Sequence, residues 1–104
     1  MNDIQCSSLD EVRANIDRID RALVGLLAER GRFVSQAARF KKTTDNVRAP
    51  QRVEQVIAKV RMLAEQCGAN PAVTEQVYRA MIAAFIEAEL AEHAALKRSE
   101  STNA

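Results

Sequence analysis

Apolar side chains return at helical intervals through the first part of the chain. Leu9, Val12, Ile16, Ile19, Leu23, Leu26, Leu27, Phe33, Val34 and Ala37 fall on one stripe when each residue advances the helix by about 100°. The spacing predicts a single long amphipathic helix over residues 8–42. Ser8-Leu9-Asp10-Glu11 opens it as a capping box, with Ser8 as the cap and Glu11 reaching back to the Ser8 backbone N–H. Gly25 and Gly31 weaken the helix, but the periodicity runs through both. Thr43 to Ala49 is polar and turn-rich, and Pro50 suits a first helical turn. A second helix follows over 50–67, with Val53, Val56, Ile57, Val60 and Leu63 inward and Gly68 at its C-terminal cap. Asn70-Pro71 starts a third helix over 71–97, whose apolar side carries Val73, Val77, Tyr78, Met81, Ile82, Phe85, Ala88 and Leu96. Residues 98–104 read as a frayed polar tail. The organisation expected is one domain over 1–104, with no repeat.

Length then decides the assembly. A helix over residues 8–42 is roughly 50 Å long, whereas a compact chain of this size is about 33 Å across. Its own second and third helices cannot cover that stripe. The fold expected is all-α, three helices per chain with one very long, in an intertwined homodimer; the alternative is a kink near Gly31 that gives a four-helix monomer.

Two cations break the stripe. Arg30 and Lys41 are eleven residues apart, so they project within roughly 20° of each other from the middle of the apolar face. Buried cations are costly unless paired. Either carboxylates meet them inside the protein or they await an anionic ligand. Arg13 lies about 100° and roughly 25 Å from Arg30 on the same helix. It joins a common site only from the antiparallel partner of a dimer; otherwise it is a solvated arginine. Arg52 stands in the first turn of the second helix, where the helix dipole disfavours a cation. Glu89 borders the apolar side of the third helix at i+4 from Phe85 and i+7 from Ile82. It is either the internal partner of Arg30 or Lys41, or a carboxyl facing a ligand among cations. His93, one turn later, reads as a surface residue near the helix end.

Composition narrows the chemistry. The net charge is +1, with 15 basic and 14 acidic residues in 104, so no global field draws the chain to nucleic acid or to an acidic membrane. No run is long and apolar enough to span a bilayer, and the N-terminus lacks the pattern of a secretory signal. Cys6 and Cys67 are isolated thiols with one distant histidine, which argues against a disulfide framework or a zinc site. The expected setting is cytoplasmic. No nucleophile with a base, phosphate loop or metal cluster is legible.

Arg13 with Ile16-Asp17 and Ile19-Asp20, then Leu26-Leu27-Ala28-Glu29-Arg30, then Phe40-Lys41, then Val47-x-Ala49-Pro50-x-Arg52-Val53 together resemble the all-helical chorismate mutase family. The resemblance spans about Leu9 to His93. The Ala-Pro-x-Arg loop looks most like the branch that includes isochorismate pyruvate lyases. The resemblance implies an entwined dimer with two equivalent sites, each built from both chains. Arg13 would enter from the partner, Arg30 would bind a substrate carboxylate and Arg52 would line the site. Lys41 would bond the ether oxygen and a carboxylate. Glu89 occupies a position that is Gln in many members and contacts the same oxygen. Many mutases carry Glu directly after the second-helix Arg, where this chain has Val53.

The implied activity is the rearrangement of chorismate to prephenate in the shikimate pathway of aromatic amino-acid biosynthesis. A dianion suits convergent cations in an apolar pocket. The step is unimolecular and pericyclic and calls for no cofactor and no metal. The protein holds the compact conformer and stabilises charge on the breaking ether bond. The alternatives are an isochorismate pyruvate lyase giving salicylate and pyruvate, a mutase acting on an amino analogue of chorismate, and a non-catalytic helical dimerisation module in which Arg30 and Lys41 are paired internally.

Overall fold

The computed structural model describes residues 4–102, and these are helical with connecting turns. Four helices follow in order: α1 (Leu9–Ala38), α2 (Thr44–Arg48), α3 (Pro50–Cys67) and α4 (Pro71–Thr102). The all-α class with three long helices agrees with the hydrophobic pattern. The differences lie at the helix ends. α1 stops at Ala38 rather than reaching Lys42, and the expected loop contains the five-residue α2. α4 continues to Thr102 where a frayed tail was expected, and residues 103 and 104 lie outside the described residues.

The chain forms two compact units, one ending at Phe33 and one beginning at Val34. In the first, α1 is capped by the Ser8 hydroxyl, which accepts from the Glu11 N–H at 3.1 Å. The Glu11 carboxylate reaches past Ser8 to Ser7, accepting from its N–H at 3.0 Å and its hydroxyl at 2.9 Å. The capping box is therefore shifted by one residue on the return side. The Ser7 N–H, then its hydroxyl, hold the Glu11 carboxyl below its usual range. Cys6 and Asn15 meet beside this cap, and a groove bordered by Ile4, Val12, Ile16 and Ile19 follows. The other stripe residues of this unit, Leu9, Leu23, Leu26, Leu27 and Phe33, are exposed, whereas Val34 and Ala37 of the second unit are half-buried.

The second unit is built on the α3–α4 hairpin. Ile57, Val60 and Ala64 of α3 and Ile82 of α4 form its core, joined by Ala38 and Val47. Burial of each larger aliphatic side chain contributes about 1.5–3 kcal/mol. Leu63 points outward and Ala64 takes its place; Val73 and Val77 are also exposed. Gly68, at φ 77°, closes α3, and the Ala69 N–H reaches back to the Ala64 carbonyl. Asn70 Oδ1 caps α4 by accepting from Ala72 and Val73 N–H groups. α2 is capped by Thr43, whose hydroxyl accepts from the Asn46 N–H, while Asn46 Oδ1 accepts from the Lys42 and Thr43 N–H groups. Val47, 2% exposed, pins this short helix into the core, and α2 packs on α4. Ala49 links α2 to α3 at φ 37°. That left-handed conformation is disfavoured for alanine, the more so before proline.

A charge network lines the outer side of the hairpin. Arg79 of α4 contacts both oxygens of Glu54 on α3 at 2.9 Å and Glu75 on its own helix at 2.7 Å. Arg61 of α3 meets Glu75 at 2.6 Å. Hydrogen bonding from Arg79 holds the Glu54 and Glu75 carboxyls below their usual range, with Arg61 assisting at Glu75. Because both carboxyls are lowered in the folded state, their stabilisation is complete above the ordinary carboxyl pKa of about 4.3. It is lost as pH falls through the lowered folded values. We expect urea unfolding midpoints of wild type and Glu75→Gln to differ at pH 7 and to converge toward pH 3. A pH-independent difference would exclude this contribution.

Candidate active site

Lys41 lies just past the end of α1, where the Arg39, Phe40 and Lys41 N–H groups turn back onto the Gln36, Ala37 and Ala38 carbonyls. Its ammonium Nζ is 2.7 Å from Oε2 of Glu89 on α4. Glu89 is 4% exposed and Lys41 is 27% exposed, so a buried carboxylate meets a cation that still reaches the surface. The contact is an ion pair, and Oε2 makes no other hydrogen bond. A buried carboxylate is tolerable beside a cation, and Oε2 retains capacity for a donor.

His93, four residues after Glu89, is 5% exposed. Its Nε2 is 2.8 Å from the Lys41 carbonyl oxygen. A carbonyl only accepts, so Nε2 carries the proton and donates. The expectation of a surface histidine is therefore corrected. Ile82, Glu89 and His93 recur at i, i+7 and i+11, and this spacing places His93 on the inward face of α4. That periodicity was the available signal.

Arg39, Lys42, Lys97, Lys41 and His93 border a cavity of about 300 Å³, floored by Ala38 and Leu96. Neither Glu89 nor Arg52 lines it. Arg52 is exposed in the first turn of α3, and Val53 beside it is half-buried. Arg13 is exposed and Arg30 half-buried on the portion of α1 that belongs to the first unit. Of the five expected site residues, the structure joins Lys41 to Glu89, the internal pairing that the sequence left open. Phe40, beside Lys41, is 84% exposed. Among the described residues, no group of three or more acidic, histidine or cysteine side chains is arranged to hold a metal. No helix among them is long and apolar enough to cross a membrane.

A cation beside a buried carboxylate is equipped to bind an anion and to stabilise developing negative charge. This arrangement coincides with a family match. Residues 12–90 match the family described as chorismate mutase type II, and the chain belongs to that family. It is 31% identical over 85 residues to the isochorismate pyruvate lyase of Pseudomonas aeruginosa, a match covering 82% of this chain and 84% of that protein. The chain thus falls in the chorismate mutase and isochorismate pyruvate lyase group of enzymes.

The pairing has a measurable energetic signature. Lys41→Ala strands the buried Glu89 carboxylate and is expected to lower unfolding free energy by roughly 1–3 kcal/mol. Adding Glu89→Gln is expected to recover part of that loss, because the uncharged amide needs no counter-ion. Denaturant midpoints of the two single variants and the double variant close the cycle. Strict additivity would show that the pair is not coupled.

Proposed function

We propose that this chain is a chorismate mutase that converts chorismate to prephenate. The observation that carries the reading is Lys41, whose ammonium stands 2.7 Å from the buried Glu89 carboxylate in a chain of the chorismate mutase type II family. An ammonium has three N–H donors. One faces Glu89, and the others remain to meet the ether oxygen and a carboxylate of the substrate. As the ether bond breaks, negative charge grows on that oxygen, and a fixed cation stabilises the transition state more than the ground state. Arg30 takes the carboxylate-binding role that the family resemblance gives it, Arg52 lines the site and Arg13 enters from a second chain. Glu89 orients Lys41 through the ion pair.

A second reading is isochorismate pyruvate lyase. It is favoured by Val53, where many mutases have a ring-hydroxyl-binding Glu, and by the 31% identity to a lyase of that name. Both reactions act on a dianion, so one cationic pocket suits either. Separate incubations with chorismate and isochorismate distinguish them. Prephenate from chorismate is the expected result, and salicylate with pyruvate from isochorismate would move the assignment to the lyase. No product from either would sink both. Lys41→Ala is expected to abolish turnover at temperatures where the variant remains folded; turnover at the wild-type rate would remove Lys41 from the site.

The working unit we propose is a homodimer. Leu9, Ile16, Leu23, Leu26 and Phe33 remain exposed on one amphipathic helix, an apolar stripe too extended for a lone soluble chain. A second copy offers the same stripe and buries both. Sedimentation equilibrium at micromolar concentration is expected to give twice the chain mass, and Leu23→Glu with Leu26→Glu to give the single chain mass. A folded wild-type monomer under those conditions would contradict the dimer.

A further inference from the structure

We propose that His93 is a positioning residue for Lys41: α4 holds this lysine at two points, Glu89 at the ammonium and His93 at the backbone. The proposal rests on the reading of Lys41 as the residue that meets the substrate. α1 ends at Ala38, so the Lys41 carbonyl lies outside any helix and has no helical N–H to accept from. A buried or half-buried carbonyl needs a donor. His93 supplies one from 52 positions along the chain, through Nε2 at 2.8 Å. A lysine stem has four rotatable carbons, so the Glu89 contact alone is compatible with many backbone positions. Fixing the carbonyl as well removes that freedom, and the ammonium then has one reach and one direction. Glu89 and His93 are one turn apart on the same face of α4, so a single rigid helix sets both anchor points. The sequence offered His93 no role, and neither a nucleophile nor a metal is needed to give it one. It does not touch the substrate in this account; it acts through Lys41.

The test uses the full chain with His93→Gln, whose amide nitrogen can donate in place of Nε2, and His93→Leu, which cannot donate. In wild type, 15N NMR of His93 is expected to show a protonated Nε2. The Lys41 to Glu89 side-chain contact, followed by nuclear Overhauser effects, is expected to persist in His93→Gln and to be lost in His93→Leu. Turnover of whichever substrate the enzyme accepts is expected to fall about 10–100-fold in kcat for His93→Leu, with KM changing far less, and to be largely restored in His93→Gln. Circular dichroism establishes that each variant is folded at the assay temperature, so a purely structural loss is separated from misplacement. Wild-type kcat in His93→Leu, equal losses in both variants, or an unprotonated Nε2 would overturn the proposal. If His93→Leu does not fold, the Nε2 protonation state and a tenfold or greater kcat loss in His93→Gln still decide against it. If wild type acts on neither substrate, the functional reading fails by itself. The side-chain contact then decides: kept in His93→Leu, it overturns the proposal; lost there and kept in His93→Gln, it upholds it.

Discussion

A carboxylate buried to 4% exposure must have its charge answered, and the second unit is arranged around that requirement at Glu89. The answer is Lys41, 2.7 Å away. The lysine arrives there from a chain that leaves α1 after Ala38 through a turn. The segment that follows is secured by its own hydrogen bonds. Asn46 accepts from Lys42 and Thr43, Thr43 caps α2, and Val47 is sunk in the core. Even the disfavoured backbone of Ala49 belongs to this route, since it turns the chain directly from α2 into α3. A helix carried on to Lys42 would have satisfied local propensity and left Glu89 without this partner.

The same pairing suits a reaction that asks little of covalent chemistry. Rearranging a dianion requires charge complementarity, a restricted conformation and a cation fixed where charge develops. A lysine held by a carboxylate and a backbone hydrogen bond provides the last of these with little reorganisation. The choice between mutase and lyase turns on how the remainder of the ring is gripped. Val53 has no side-chain hydrogen bond to offer a ring hydroxyl, and in the proposed reading the discrimination between the two dianions is left to the arginines and to Glu89.

Much of the fold was legible in the sequence because period and caps are local signals. The stripe from Leu9 to Ala37, Asn70-Pro71 and Gly68 each mark what the structure contains. The end of α1 was not legible, because no Gly or Pro stands between Ala38 and Pro50 to mark the stop. α2 was missed because five residues are too few to show a period; Thr43, Asn46 and Val47 signal it only in combination. At the site, Arg30 and Lys41 stood out as cations on an apolar stripe, and Glu89 as a carboxyl at the edge of another. Their spacing left the partner of Lys41 open, since a pairing between distant helices leaves no mark on either one. His93 was misread for a related reason: proximity to the helix end suggested solvent, whereas its register with Ile82 and Glu89 placed it inside.

The central claim is that Lys41 is held ready to meet the breaking bond of a chorismate-type dianion. A crystal structure of the protein with an unreactive dianionic ether analogue of chorismate tests it most directly. The account predicts the ether oxygen of the analogue within hydrogen-bonding distance of Lys41 Nζ, with Glu89 still beside the ammonium. An analogue bound away from Lys41, with the Lys41–Glu89 pair closed and untouched, would contradict it.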